Sequence, residues 1–266
     1  MCFFGATRNM NNLRKSYLDL MVEILAGTIH EDPAIPFPFQ SSNSADPTYD
    51  RQARELGLDW PSQAFTMIGV QRLRNICNLL ESAIKTKIAG DFVETGVWRG
   101  GACIMARAVL NAYSIINRKV VLCDSFEGLP PPTPEKYPSD SGSECHTYTA
   151  LSVPLETVKK NFSRFHLLDE QVIFIKGFFR ETMVNVPSRQ IAILRLDGDM
   201  YESTIDPLNH LYDRISYGGW VIVDDYHVIP AAKQAVHDFL ERKGIKAKIE
   251  EIDGTGVFFR KNKNEM

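Results

Sequence analysis

The chain has 266 residues, 44% hydrophobic and 24% charged, an ordinary globular composition with enough length to bury one large α/β core. A formal net charge of −3 without Lys/Arg runs gives no electrostatic case for a nucleic-acid or membrane partner. No apolar run approaches the roughly 20 residues of a membrane span. The five cysteines, Cys2, Cys77, Cys103, Cys123 and Cys145, show no C-x-x-C spacing and leave an odd thiol, which argues against a disulfide framework and for a reducing, cytoplasmic setting. Residues 1–12 carry too short an apolar cluster for a signal peptide.

Along the chain, apolar residues at Leu13, Tyr17, Leu20, Met21 and Ile24 form one helical stripe, predicting a helix over 13–25. Residues 28–47, rich in Pro, Ser and Asn, read as a long loop. A short helix follows at 49–56. A strong one covers 65–84, with Ile68, Leu73, Ile76, Leu80 and Ile84 on one face. From residue 90 the pattern becomes strands alternating with helices. Strands are expected at 91–94, 119–124, 171–176, 191–197, 219–224, 247–251 and 256–260, and helices at 101–114, 155–165, 204–215 and 231–243, with a shorter one after Phe179. Regular alternation means parallel strands joined by right-handed crossovers. The turn Asp253-Gly254-Thr255-Gly256 suits a terminal hairpin and one antiparallel strand. The division is thus an N-terminal helical segment, 1–88, and an α/β core, 89–266. Residues 125–153, with prolines at 130, 131, 132, 134 and 138, form an insertion leaving a strand's carboxyl end, the position of a lid over the ligand crevice.

The first core strand runs into Glu94-Thr95-Gly96-Val97-Trp98-Arg99-Gly100-Gly101. Glycines at a strand-to-helix turn let backbone approach a ligand. The spacing is G-x-x-x-G-G, not the G-x-G-x-x-G that meets a pyrophosphate. A ligand with an amino-acid end, as in S-adenosylmethionine (SAM), needs carboxylates and carbonyls for its ammonium and donors for its carboxylate, and Glu94 and Arg99 are candidates. Asp124, followed by Ser125, ends the second strand, where an acidic side chain can accept from both ribose hydroxyls. Gly177 followed by Phe178 and Phe179 ends the third, where adenine can lie on a ring face.

The fourth strand ends in Asp197-Gly198-Asp199 and the fifth in Asp224-Asp225-Tyr226-His227. If these strands are parallel neighbours, their ends lie about 5 Å apart, and the clustered carboxylates repel unless a cation joins them. All-oxygen ligands favour Mg²⁺, with Mn²⁺ and Ca²⁺ the alternatives. A coordinated alcohol loses some of its high pKa and is fixed in line for attack. A carboxylate outside the ligand set can then take the proton. Asp197, Asp224 and Asp225 are the candidate ligands. Asp199, beyond a flexible glycine, is the candidate base, with His227 its rival.

These motifs resemble the macrocin-type O-methyltransferases, which methylate sugar hydroxyls of macrolide and aminocoumarin antibiotics. The matching stretches are Tyr17-Leu18-Asp19-Leu20, Trp60-Pro61 with Thr66-Met67-Ile68-Gly69, Glu94 to Gly101, Asp124-Ser125-Phe126, Asn161-Phe162-Ser163-Arg164, Gly177 with Phe179, Asp197-Gly198-Asp199 and Asp224-Asp225-Tyr226. They run in order from about residue 17 to 260. The resemblance implies a class I SAM-dependent methyltransferase fold: Rossmann-like α/β, a mostly parallel seven-stranded sheet with a terminal antiparallel hairpin, plus an N-terminal helical extension. It implies SAM and Mg²⁺, metal binding by Asp197, Asp224 and Asp225, and a base role for Asp199. It places Met67 near SAM and acceptor, with Glu94, Thr95, Gly96, Trp98, Arg99, Gly100, Gly101, Asp124, Ser125, Gly177 and Phe178 around the cofactor. It also implies a homodimer or homotetramer whose N-terminal segment helps close the site, and a small hydroxylated acceptor, expected to be a deoxysugar on a secondary metabolite. Within the matching stretches Trp60 stands where relatives can have Tyr near the sugar, and residues 129–138 depart from the family pattern. A catechol-type acceptor, and more remotely a nicotinamide oxidoreductase, are the alternatives.

Overall fold

The computed structural model describes residues 2–36 and 48–263, with side chains from residue 9 onward. Helix α1 spans Cys2–Leu25, eleven residues longer at its start than the stripe at 13–25 implied. No proline interrupts this stretch, and a lone Gly5 costs only about 1 kcal/mol, so the hydrogen-bond ladder continues. Leu18, Met21, Val22 and Leu25 are buried at the i, i+3, i+4, i+7 spacing of one helical face, packed on the core helices. The loop expected at 28–47 contains a short strand β1, Ala34–Ile35; its residues 37–47 lie outside the described residues. Strand β1 pairs antiparallel with β2, Trp60–Pro61, after helix α2, Arg51–Leu56.

An arginine holds this segment together. Arg54 is fully buried. It donates to both oxygens of Asp59 at 2.8–3.0 Å and to the carbonyls of Ala26 and Asp32 at 2.9 and 2.7 Å. The Asp32 carboxylate in turn accepts from Ser62 Oγ and from the Gln63 and Ala64 amides. Arg54→Met should cost about 3–5 kcal/mol, because it strands a buried carboxylate. Urea unfolding checks this, and a second change, Asp59→Asn, should add much less than it costs alone.

Helix α3 runs Gly69–Lys85, not from 65. Gly69 has φ +74° and packs against Gly57, where a Cβ would come within 2.4 Å of the Gly57 nitrogen. The chain before it is therefore irregular, which frees Thr66 and Met67 from a helix face.

The remaining elements are β3 Asp91–Thr95, α4 Gly101–Ala112, β4 Val120–Asp124, α5 Leu155–Arg164, β5 Val172–Lys176, α6 Phe179–Thr182, β6 Ile191–Leu196, α7 Tyr201–Leu211, β7 Ile215–Val223, α8 Pro230–Lys243, β8 Glu250–Glu251 and β9 Val257–Arg260. They build a seven-stranded sheet in the order β5-β4-β3-β6-β7-β9-β8. The first five strands are parallel, and β9 is antiparallel to both its neighbours. This is the expected α/β architecture with a terminal hairpin.

Side chains alternate across the sheet. Phe92, Val120, Leu122 and Ile193 meet α1, α3 and α4 on one face. Val93, Val121, Leu194 and Val221 meet α7 and α8 on the other. Burial on both faces explains the near-continuous apolar strands. Helix α7 starts three residues earlier than expected because the Asp140 carboxylate, from the insertion, accepts the Tyr201 and Glu202 amides at 2.7 and 3.0 Å. Such a distant cap leaves no local signal. Among the described residues no helix is long and apolar enough to cross a membrane.

Candidate active site

The carboxyl ends of β3, β4, β6 and β7 open into a cavity of about 510 Å³. At the end of β3 the chain must turn sharply. Gly96 has φ +87°, and a Cβ there would stand 1.7 Å from the Asp197 carbonyl oxygen. Only glycine lets this turn press against the end of β6. Gly100, at φ +86°, precedes α4, and Gly101 donates to the Phe65 carbonyl at 2.9 Å. Asp124, at the end of β4, accepts the Val97 and Phe126 amides, each at 2.7 Å. These bonds aim a carboxylate across the turn, although burial pushes its pKa up.

Of the residues expected around a cofactor, Met67, Glu94, Gly96, Trp98, Asp124, Ser125 and Phe178 line the cavity. Thr95, Arg99, Gly100, Gly101 and Gly177 do not. Thr95 is buried in the sheet, its hydroxyl directed to the Arg195 carbonyl. Arg99 departs most from expectation as a donor to a ligand carboxylate. Its guanidinium is committed to the carbonyls of Pro61, Ser62 and Ala64 at 2.8–3.1 Å and lies over the Trp98 ring. It clamps the segment after β2 instead. Gly177, at φ +140°, has no room for a Cβ, which would fall 2.6 Å from Thr182 Cγ2.

Strands β6 and β7 are parallel neighbours, with Leu196 opposite Val223. Asp197, Asp224 and Asp225 therefore converge: each offers an oxygen within 4.8 Å of the other two. Asp199 sits at φ +60°, a conformation uncommon for a residue with a Cβ. Its amide donates to Asp225 Oδ2 at 3.2 Å. Burial holds the Asp197, Asp199 and Asp225 carboxyls well above the usual carboxylate range. Arg195 opposes this rise at Asp197, whereas neighbouring carboxylates add to it at all three. His227 does not join them. It pairs with the Glu251 carboxylate at 2.9 Å on the outer side of the hairpin and is absent from the cavity lining.

Two arginines complete the site, and neither was singled out in the sequence. Arg195, fully buried within β6, bonds Glu94, Asp197 and Asp224. Arg72, from α3, bonds Asp224 and, at 2.9 Å, Asp253. Each left a trace: a lone arginine inside the apolar run Ile191–Leu196, and another on the buried face of α3 between Gly69 and Leu73. Glu94, Asp197, Asp199, Asp224, Asp225 and Asp253 bring six formal negative charges, and the two guanidiniums return two, leaving four. An all-oxygen donor set with surplus negative charge fits a hard divalent cation.

The insertion 125–153 borders the cavity through Ser125, Gly128, Leu129, Pro130, Cys145, Tyr148 and Leu151. It is fastened to the core. Thr133 bonds Glu202, Tyr137 bonds Asp206, and the Trp98 indole donates to the Ala150 carbonyl at 2.8 Å. Leu58 and Trp60 also line the cavity, with Trp60 edge-on to Tyr148 at 6.5 Å.

Comparison with known proteins identifies the family. The family model described as macrocin O-methyltransferase (TylF) matches residues 14–261. The chain is 43% identical to demethyldecarbamoylnovobiocin O-methyltransferase of Streptomyces niveus, over 96% of this chain and 97% of that one. It is 47% identical to 8-demethyl-8-(2,3-dimethoxy-alpha-L-rhamnosyl)-tetracenomycin-C 4'-O-methyltransferase of Streptomyces olivaceus, over 93% of each. Among solved structures, the O-methyltransferase NovP superposes with a TM-score of 0.88 at 43% identity, covering 94% of this chain and 100% of that one. The calicheamicin methyltransferase CalS11, with a TM-score of 0.58 at 18% identity, shares the fold. The chain belongs to the macrocin O-methyltransferase family and is a SAM-dependent O-methyltransferase.

Proposed function

We propose that this enzyme methylates a sugar hydroxyl of a glycosylated secondary metabolite and requires a divalent cation, Mg²⁺ by the chemistry of its ligands. The observation that carries the reading is the convergence of Asp197, Asp224 and Asp225 in the cavity that the Gly96 turn and Asp124 also face. The sugar acceptor is supported by the relatives, whose names specify novobiocin-type and rhamnosyl-tetracenomycin substrates. It is also supported by Leu58, Trp60 and Tyr148 in the cavity lining, since an aromatic face suits the apolar face of a sugar.

SAM supplies an electrophilic methyl group, and a cation held by Asp197, Asp224 and Asp225 supplies Lewis acidity that makes an alcohol easier to deprotonate. The chain does the rest. Asp124 orients the ribose hydroxyls, and Phe178 offers its ring to adenine. Glu94, held by Arg195 in the cavity lining, is the carboxylate acceptor for the ammonium group of SAM. Asp199 accepts the acceptor's hydroxyl proton at its carboxylate, a step open only to its ionised form. The insertion 125–153 and the segment carrying Leu58 and Trp60 exclude water and act as the lid. The N-terminal helix, with Met10, Leu13 and Leu20 exposed, is the surface on which a second copy packs, in a homodimer or homotetramer. The buried unpaired thiols of Cys77, Cys103 and Cys123 suit a reducing cytoplasm.

The test is a methyl-transfer assay with SAM and Mg²⁺ on glycosylated polyketides and aminocoumarins, with a simple catechol alongside. We expect transfer to the glycosides. EDTA should reduce it at least 100-fold, and Mg²⁺ should restore it. Activity that survives EDTA overturns the cation, and preference for catechol overturns the sugar.

A further inference from the structure

Arg72 is almost fully buried and joins three parts of the molecule that are far apart in sequence. Its Nη1 bonds Asp224 Oδ2, while Arg195 takes the other oxygen of the same carboxylate. Its Nε donates to Asp253 Oδ2 at 2.9 Å, in the hairpin turn before β9. Its Nη2 donates to the carbonyls of Leu56 and Gly57 at 3.2 and 3.1 Å, at the end of α2. The surrounding backbone is cut to receive it. A Cβ at Gly57 would stand 2.3 Å from Arg72 Nη2, and one at Gly256 would stand 3.0 Å from its Cδ. Two glycines on different elements thus leave a slot for one side chain, and Gly57 and Arg72 both line the cavity.

We infer that Arg72 is a positioning residue for the methyl transfer: it fixes Asp224 between two guanidiniums, ties that carboxylate to the cavity wall at Gly57 and Leu58 and to the hairpin, and moderates how tightly the acidic cluster holds a cation. The inference rests on the proposed reading of the cluster as a cation site. A carboxylate with both oxygens engaged by planar donors has little freedom to rotate. Arg195 is built into the central sheet. Arg72 reaches in from a peripheral helix and also holds the wall that carries Leu58. A shift of that wall is therefore transmitted to Asp224. The positive charge of Arg72 repels a cation at the same site. Its removal therefore strengthens cation binding while loosening the geometry that catalysis needs. A side chain that served only stability would lower both together.

The test compares Arg72→Met and Arg72→Lys with the wild type in three measurements: Mg²⁺ binding by calorimetry without SAM, S-adenosylhomocysteine binding, and kcat and KM with Mg²⁺ saturating. Arg72→Met should bind Mg²⁺ at least tenfold more tightly, keep S-adenosylhomocysteine affinity within about threefold, and lose at least 100-fold in kcat. Arg72→Lys keeps the charge and loses the forked reach. It should bind Mg²⁺ as the wild type does and lose roughly tenfold in kcat. Weaker Mg²⁺ binding in a folded Arg72→Met protein overturns the inference, as does wild-type kcat in either variant. If Arg72→Met does not fold, the Lys variant decides by its kcat. If the wild type itself binds no Mg²⁺, the cation reading fails, and the kcat loss of Arg72→Lys at unchanged S-adenosylhomocysteine affinity decides the positioning role separately.

Discussion

Asp199→Asn should lower kcat by about 10³-fold while leaving S-adenosylhomocysteine affinity within a few-fold of the wild type. A positioned general base contributes about 10²–10⁴ in rate. Asn is nearly isosteric, so the loss reports the missing proton acceptor and not a cavity. The position supports the role. Asp199 lines the cavity, follows a glycine that frees it from the β6 direction, and is held at φ +60° with its amide on Asp225. Backbone strain of this kind persists only where surrounding contacts enforce it. Burial and the Asp224 charge raise the Asp199 pKa. A base works in its ionised form, so kcat/KM should fall as pH drops through that raised value, and the Asn variant should lose this acid limb. A cation at the cluster shifts the limb to lower pH, because positive charge favours the carboxylate. A variant with more than a tenth of wild-type kcat would remove Asp199 from the chemistry, and His227→Ala offers the contrast. His227 faces Glu251 outside the cavity, so its loss should cost less than about threefold.

Gly96→Ala should abolish S-adenosylhomocysteine binding and destabilise the fold by more than about 3 kcal/mol. The positive φ alone costs a residue with a Cβ about 1–2 kcal/mol. The larger cost is steric. A methyl group 1.7 Å from the Asp197 carbonyl oxygen must push apart the ends of two central strands. That movement would also displace Asp197, whose amide is hydrogen-bonded to the Thr95 carbonyl at 2.9 Å. One substitution thus damages the glycine turn and the acidic cluster together. Thermal unfolding and calorimetry with S-adenosylhomocysteine measure both. An Ala variant that melts and binds as the wild type would show that the turn relaxes freely. Gly142 is the comparison, since a Cβ there meets nothing within 4 Å. Its φ of +80° still makes Ala unfavourable, by about 1–2 kcal/mol.

Elements whose signals are local were legible in the sequence. The apolar strands, the glycine turn after β3 and the paired aspartates at the ends of β6 and β7 are all written in short windows. Those aspartates meet if their strands are neighbours, and the sheet order places β6 beside β7. Local pattern misleads where distant residues override it. Helix α7 begins early because Asp140, 61 residues before Tyr201, caps it. Helix α3 begins late because Gly69 packs on Gly57.

By itself, the sequence determined that this is an α/β enzyme with acids at the ends of two strands, because side-chain period and chemistry are local properties. Its motifs also carried the family. Only the tertiary structure decided how those acids are balanced. Arg195 brings its charge up through the sheet beneath Asp197 and Asp224, and Arg72 brings a second from α3, 152 residues before its partner Asp224. The same folding turned Arg99 and His227 away, each onto partners that no sequence window contains. Charge compensation acts through space, and burial in a medium of low polarity makes it strong, so its partners become visible only once the chain has folded.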